Sequence, residues 1–139
     1  MKAYFACSIR GGGDTSFYLA ILEGIKRTGT TVLSEVFVHD ALTLGGSPLP
    51  ADEIYERDTN MIQDADIVIA EVSNPSLGVG YELAYAEQLG KPVLCLYHAK
   101  SEKSLSAMVR GNNYFTVEHF DSKTVAETIQ RFIALQSAT

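Results

Sequence analysis

Ile67-Val68-Ile69-Ala70 is an unbroken apolar run set between Asp66 and Glu71. A strand with one wet face alternates apolar and polar residues. A continuous run rich in β-branched residues therefore predicts a strand covered on both faces, in the middle of a parallel sheet. Outward from it, β-rich runs alternate with helical patterns along the whole chain. Strands are expected over 2–7, 30–37, 92–97 and 114–120. Helices are expected from about Asp14 and over 51–64, 80–89, 101–110 and 124–135. In the first helix Phe17, Ile21 and Ile25 recur at spacings of four, and in the second Asp52 and Glu53 suit the positive end of the helix dipole. The segment holding Gly45, Gly46, Pro48 and Pro50 reads as the longest loop. The fold class expected is α/β: a Rossmann-like three-layer sandwich, with a five-stranded parallel sheet and helices on both faces. No repeat, low-complexity tract or linker interrupts residues 1–139, so one domain is expected. In such folds ligands bind at the carboxyl ends of the strands, where the strand order reverses.

Composition narrows the partners. Seventeen acidic residues outnumber eleven Lys and Arg, giving a formal net charge of −6 with no basic run. Nucleic-acid polymers and anionic membrane surfaces, which need clustered cations, are therefore not expected as partners. A small anion stays open, because one local pocket of Arg and backbone N–H groups binds phosphate even on an acidic protein. Cys7 and Cys95 lie in or beside apolar runs and make neither a disulfide framework nor a zinc site. His39, His98 and His119 are widely spaced, so no metal and no cofactor are expected. No stretch is long or apolar enough for a signal peptide or a membrane span, which points to a cytoplasmic protein.

Two loops carry candidate chemistry. Ser8-Ile9-Arg10-Gly11-Gly12-Gly13 runs from the end of the first strand to the start of a helix, where free N–H groups and the helix dipole favour an anion. Ser8 offers a hydroxyl, the glycines allow close backbone approach, and Arg10 adds a charge-assisted bond. The loop lacks the Walker A and dinucleotide spacings, and a plain strand-to-helix glycine turn has the same composition. Asn74-Pro75-Ser76-Leu77-Gly78-Val79-Gly80-Tyr81-Glu82 follows the buried strand and lies at the same sheet edge. Ser76 and the Gly78 backbone add donors. Glu82 reads either as a carboxylate complementing the start of a helix or as a nucleophile. Asp58 reads either as part of a solvated Glu56-Arg57-Asp58 face or as the second member of a carboxylate pair, as glycosidic chemistry uses. Asp66 and Glu71 flank the central strand as structural caps. G-x-S-x-G is absent around Ser76, against serine-hydrolase chemistry.

These residues resemble the 2'-deoxynucleoside 5'-phosphate N-hydrolases, relatives of the nucleoside 2-deoxyribosyltransferases. The likeness covers nearly the whole chain. Its motifs are Tyr4-Phe5 with Ser8-Ile9-Arg10-Gly11-Gly12, Ala65-Asp66 leading to Ala70-Glu71-Val72, Pro75 to Leu83, and Leu105-Ser106-Ala107-Met108 with Arg110-Gly111. The resemblance implies that Glu82 attacks the anomeric carbon to form a glycosyl-enzyme, that Asp58 binds the sugar and assists departure of the base, and that Tyr4 orients Glu82. It further implies substrate binding by Ser8, Ile9, Arg10, Gly12, Ser76, Gly78, Ser106 and Met108, with Ser106 reaching the phosphate from a neighbouring subunit of a homodimer. The implied substrate is a nucleoside 5'-monophosphate, with purines, dGMP above all, favoured by family analogy. Cys7 stands where the family pattern has glycine, beside the sugar or base. The alternatives are deoxyribosyl transfer between bases, hydrolysis of ribonucleotides such as CMP, and a nucleotide sensor without turnover. The phosphate cradle speaks against transfer, and the set Tyr4, Asp58 and Glu82 against a sensor.

Overall fold

The computed structural model describes residues 1–9 and 13–138. The elements are β1 (Lys2–Ala6), α1 (Thr15–Lys26), β2 (Thr31–Val32), α2 (Glu35–Leu44), α3 (Ala51–Asp64), β3 (Ile67–Glu71), α4 (Leu77–Gln88), β4 (Val93–His98), a 3-10 turn (Ala99–Ser104), α5 (Ala107–Arg110), β5 (Thr116–Phe120) and α6 (Val125–Ser137). The five strands form one parallel sheet in the order β2-β1-β3-β4-β5. β3 is central, every one of its residues is buried, and the α/β fold is as expected.

Strand alternation sorts the core into two halves. Ala3, Phe5, Ile67, Ile69, Leu94 and Leu96 pack with α1 and α6. Tyr4, Ala6, Val68, Ala70, Val93 and Cys95 pack with α3, α4 and α5. The order reverses at β1 and β3: β2 lies on one side of β1, β4 on the far side of β3. The crevice at this point opens on the α3/α4 side. Tyr4 belongs to that side, and so does Glu82 on α4.

Three elements differ from the sequence expectation. The second strand is two residues long, and the segment expected to extend it to Phe37 turns into α2. Ser34 is the cause. Its buried hydroxyl accepts the Phe5 N–H and donates to the Phe5 carbonyl, both at 3.0 Å, and so closes the edge of β1 where a longer β2 would have paired. Val36 and Val38 have strand propensity, but Val38 and Ala41 bury as one helical face, and Gly45 ends the helix with φ 74°. The helix expected over 101–110 is divided by extended Leu105 into the 3-10 turn and α5, whose N-cap is Ser106. The helix expected from Gly80 begins three residues earlier, at Leu77, because the Ser76 hydroxyl accepts the Val79 N–H at 3.3 Å. Ser34→Ala should strip both Phe5 backbone groups of their partner and cost about 1–3 kcal/mol, read as a lower urea midpoint with an unchanged m-value.

Candidate active site

The β1/β3 reversal opens into a cavity of about 470 Å³, a common size for a small-molecule site. Tyr4, Ile9, Asp58, Ser76, Gly78 and Glu82 line it together, so six of the expected site residues converge. Cys7 is also in the wall. Ser8 is buried beside it, and its carbonyl accepts the Tyr18 hydroxyl at 2.7 Å. Gly13 makes that bond possible: a Cβ there would sit 1.5 Å from Tyr18 Oη and 3.1 Å from the Ser8 carbonyl. Arg10 and Gly12 lie outside the described residues. Ser106 and Met108 do not reach this cavity. They line a second one of about 660 Å³ between α4 and α5, whose wall also includes Ser76. Ser106 caps α5 by accepting the Met108 N–H at 3.2 Å. Met108 is 83% exposed and Leu77, on the same surface, 97%.

Glu82 is the sixth residue of α4, not a residue of its first turn, so the helix-dipole explanation of its position does not hold. Its carboxyl lies in the cavity wall, where Tyr4 Oη donates a short hydrogen bond to Oε2. Burial pushes the carboxyl up to about 7. Tyr4 and Arg57 oppose that rise, and Asp58 adds to it by like-charge repulsion. Burial and the two carboxylates together raise the Tyr4 phenol far above its ordinary value, so it stays protonated and donates. The Cys7 thiol is pushed up to about 12 by burial first, then by Glu71 and Glu82. Glu71 ends β3 and accepts the Ser73 N–H at 2.5 Å, which braces the loop leading to Ser76. Asp66 accepts the Lys2 N–H at 2.7 Å.

Asp58 does not sit on a solvated face. Ile54, Arg57, Asp58, Met61 and Ile62 follow the i, i+3, i+4, i+7, i+8 stripe of an inward helix face, and the Arg57 and Asp58 side chains are only 20% and 23% exposed. Arg57 Nε bonds Asp58 Oδ1 at 2.8 Å, and the guanidinium carbon lies 4.1 Å from the centroid of the Phe37 ring. Sequence reading missed Phe37 and Arg57. Phe37 was hidden by the strand assignment, while Arg57 was legible in that stripe. Phe37, Val38, Ala41, Leu49 and Ile54 make the apolar part of the cavity wall. Among the described residues no group of three His, Cys, Asp or Glu is placed to hold a metal, and no helix is long and apolar enough to cross a membrane.

The sequence matches the family model described as nucleoside 2-deoxyribosyltransferase over residues 3–126. It is 46% identical over 112 residues to the 5-hydroxymethyl-dUMP N-hydrolase of Rattus norvegicus, covering 79% of this chain and 69% of the relative. To the enzyme of the same name from Homo sapiens it is 38% identical over 134 residues, covering 93% and 77%. The structure of the Clostridium botulinum CMP N-glycosidase BcmB superposes with a TM-score of 0.67 at 16% identity, covering 94% of this chain and 99% of that one. The solution structure of BlsM superposes with a TM-score of 0.78 at 21% identity, covering 97% and 90%. These two likenesses concern the fold.

The raised Glu82 carboxyl sets a pH test of its environment. A group that holds its proton more tightly folded than unfolded contributes stability that is complete below its ordinary value of 4.5 and is lost as pH rises through about 7. Glu82→Gln carries no such penalty. Its urea midpoint should exceed that of the unmodified protein at pH 8, and the advantage should shrink steadily towards pH 4.5.

Proposed function

The chain belongs to the nucleoside 2-deoxyribosyltransferase family, and on that premise we propose that it is an N-glycosidase converting 2'-deoxynucleoside 5'-monophosphates and water to free base and 2-deoxyribose 5-phosphate. The observation that carries the reading is the Tyr4–Glu82 hydrogen bond. It aims a desolvated carboxyl into the cavity at the β1/β3 reversal, within the electrostatic reach of Asp58.

In this reading Glu82, as carboxylate, attacks C1' of the sugar while the bond from C1' to the base nitrogen breaks. The oxocarbenium-like transition state is cationic, so a poorly solvated carboxylate beside it stabilises it directly. Tyr4 holds the attacking group in one orientation, and Asp58 binds the sugar. Water then displaces Glu82 from C1', and its proton goes to the departed base. The loops after β1 and β3, with Ser8, Arg10, Gly12, Ser76 and Gly78, bind the 5'-phosphate end, and Ile9 contacts the substrate from the cavity wall. The backbone donors at the start of α4 support that role. The second cavity and the exposed Leu77 and Met108 support a homodimer in which Ser106 serves the neighbouring site through the shared wall at Ser76. Two free cysteines agree with a reducing, cytoplasmic setting.

Three measurements test the reading. In a panel of nucleoside monophosphates with and without the 2'-hydroxyl, free base should appear from the deoxy compounds, and Glu82→Ala should slow its release by at least roughly a thousandfold. Failure of any monophosphate to release base would reject the activity, and appearance of a new nucleoside on adding a second base would assign transfer instead. In the unliganded enzyme kcat/KM should fall with unit slope below about pH 7, as Glu82 takes up its proton. Mixed and refolded Glu82→Ala and Ser106→Ala proteins should recover roughly a quarter of full activity if sites are shared between subunits, and none beyond their separate sum if they are not.

A further inference from the structure

A departing base takes the bonding electron pair with it, and the cavity has to receive that charge. Among the described lining residues there is no His and no Lys, and Arg57 is the cation. It is held in place on two sides. Nε is committed to Asp58, and the flat guanidinium lies against Phe37, so the edge carrying the two terminal amino groups has few orientations left. Phe37, Val38, Ala41 and Ile54 of the same wall are apolar, which strengthens any electrostatic contact made in the cavity. Arg57 lines the same cavity as Glu82 and Tyr4, and its bond to Asp58 ties it to the carboxylate pair.

We propose that Arg57 is the leaving-group residue of this site, its terminal amino groups hydrogen-bonding the carbonyl oxygens of a departing 2,4-dioxopyrimidine. The assignment rests on the N-glycosidase reading above. As Glu82 Oε forms its bond to C1', the bond from C1' to N1 breaks and its electron pair enters the base, spread over N1, O2 and O4. A guanidinium donates hydrogen bonds to those oxygens but gives up no proton at any working pH. The base therefore leaves as an anion and acquires its proton from the water that later frees the sugar. A purine, whose departure is eased by protonation on its ring nitrogen, gains less from such a partner.

Leaving-group dependence separates this role from simple support of Asp58. With dUMP and 5-fluoro-dUMP as substrates, the fluorine makes the base anion more stable in itself and less dependent on Arg57. Arg57→Gln should lower kcat/KM on the order of a hundredfold for dUMP and on the order of tenfold for 5-fluoro-dUMP. Arg57→Lys should fall between, keeping the charge but losing the planar fork. Phe37→Leu, which leaves Arg57 and Asp58 in place but frees the guanidinium, should show the same substrate-dependent pattern in milder form, and guards against a folding defect in the Arg57 variants. Equal losses on both substrates in all three variants would overturn the assignment, making Arg57 a partner of Asp58 or of the phosphate. Absence of base release by the unmodified protein would overturn the N-glycosidase reading and this one with it.

Discussion

The reversal of strand order between β1 and β3 is the constraint from which the rest of this structure follows. Connections running to opposite sides leave the carboxyl ends of these two strands uncovered, and the period-two alternation of β1 then decides what faces the opening. Phe5 goes to the α1/α6 side and closes the core there. Tyr4 goes to the α3/α4 side, where its hydroxyl meets α4 at Glu82, beyond the first turn that follows the Ser76 cap. Shifting β1 by one residue would exchange the two and remove the partner of Glu82.

The site concentrates groups that oppose one another electrostatically. Glu82 and Asp58 repel, burial disfavours the charge on Glu82, and among the described residues the Tyr4 hydroxyl and the Arg57 guanidinium pull the other way. Such an arrangement works against folding in the pH range where Glu82 is charged. The apolar layers on the two faces of the sheet, with β3 wholly buried, supply the stability that lets it persist.

Much of the fold was legible because periodicity and local chemistry agreed. The run from Ile67 read as a buried centre and is one, and Asp52 and Glu53, expected at the start of a helix, lie in the first turn of α3. Where tertiary contacts override propensity, legibility failed. Val36, Phe37 and Val38 look like strand, yet the hydroxyl of Ser34 occupies the bonds a strand would have used, and no local pattern announces a contact between positions 34 and 5. Convergence of Tyr4 with Glu82 was legible only through family likeness, since their 78-residue separation leaves no spacing to read. Arg57 was missed for a different reason: the charged run from Glu56 to Asp58 suggests water, which was also the competing reading of Asp58, although the helical stripe through Ile54 and Met61 turns both residues inward.

The Ser34 contact also bears on how the folded chain behaves in a crowded solution. A long outer strand leaves a row of unsatisfied amide and carbonyl groups on which another molecule can build a sheet. Here the outer strand on the β1 side ends after Val32, the next available backbone groups of β1 are taken by a side chain, and a helix follows at once. At that margin the molecule offers almost no template for fibril growth, a protection obtained with one hydroxyl group and with no charged or proline residue in β2 itself.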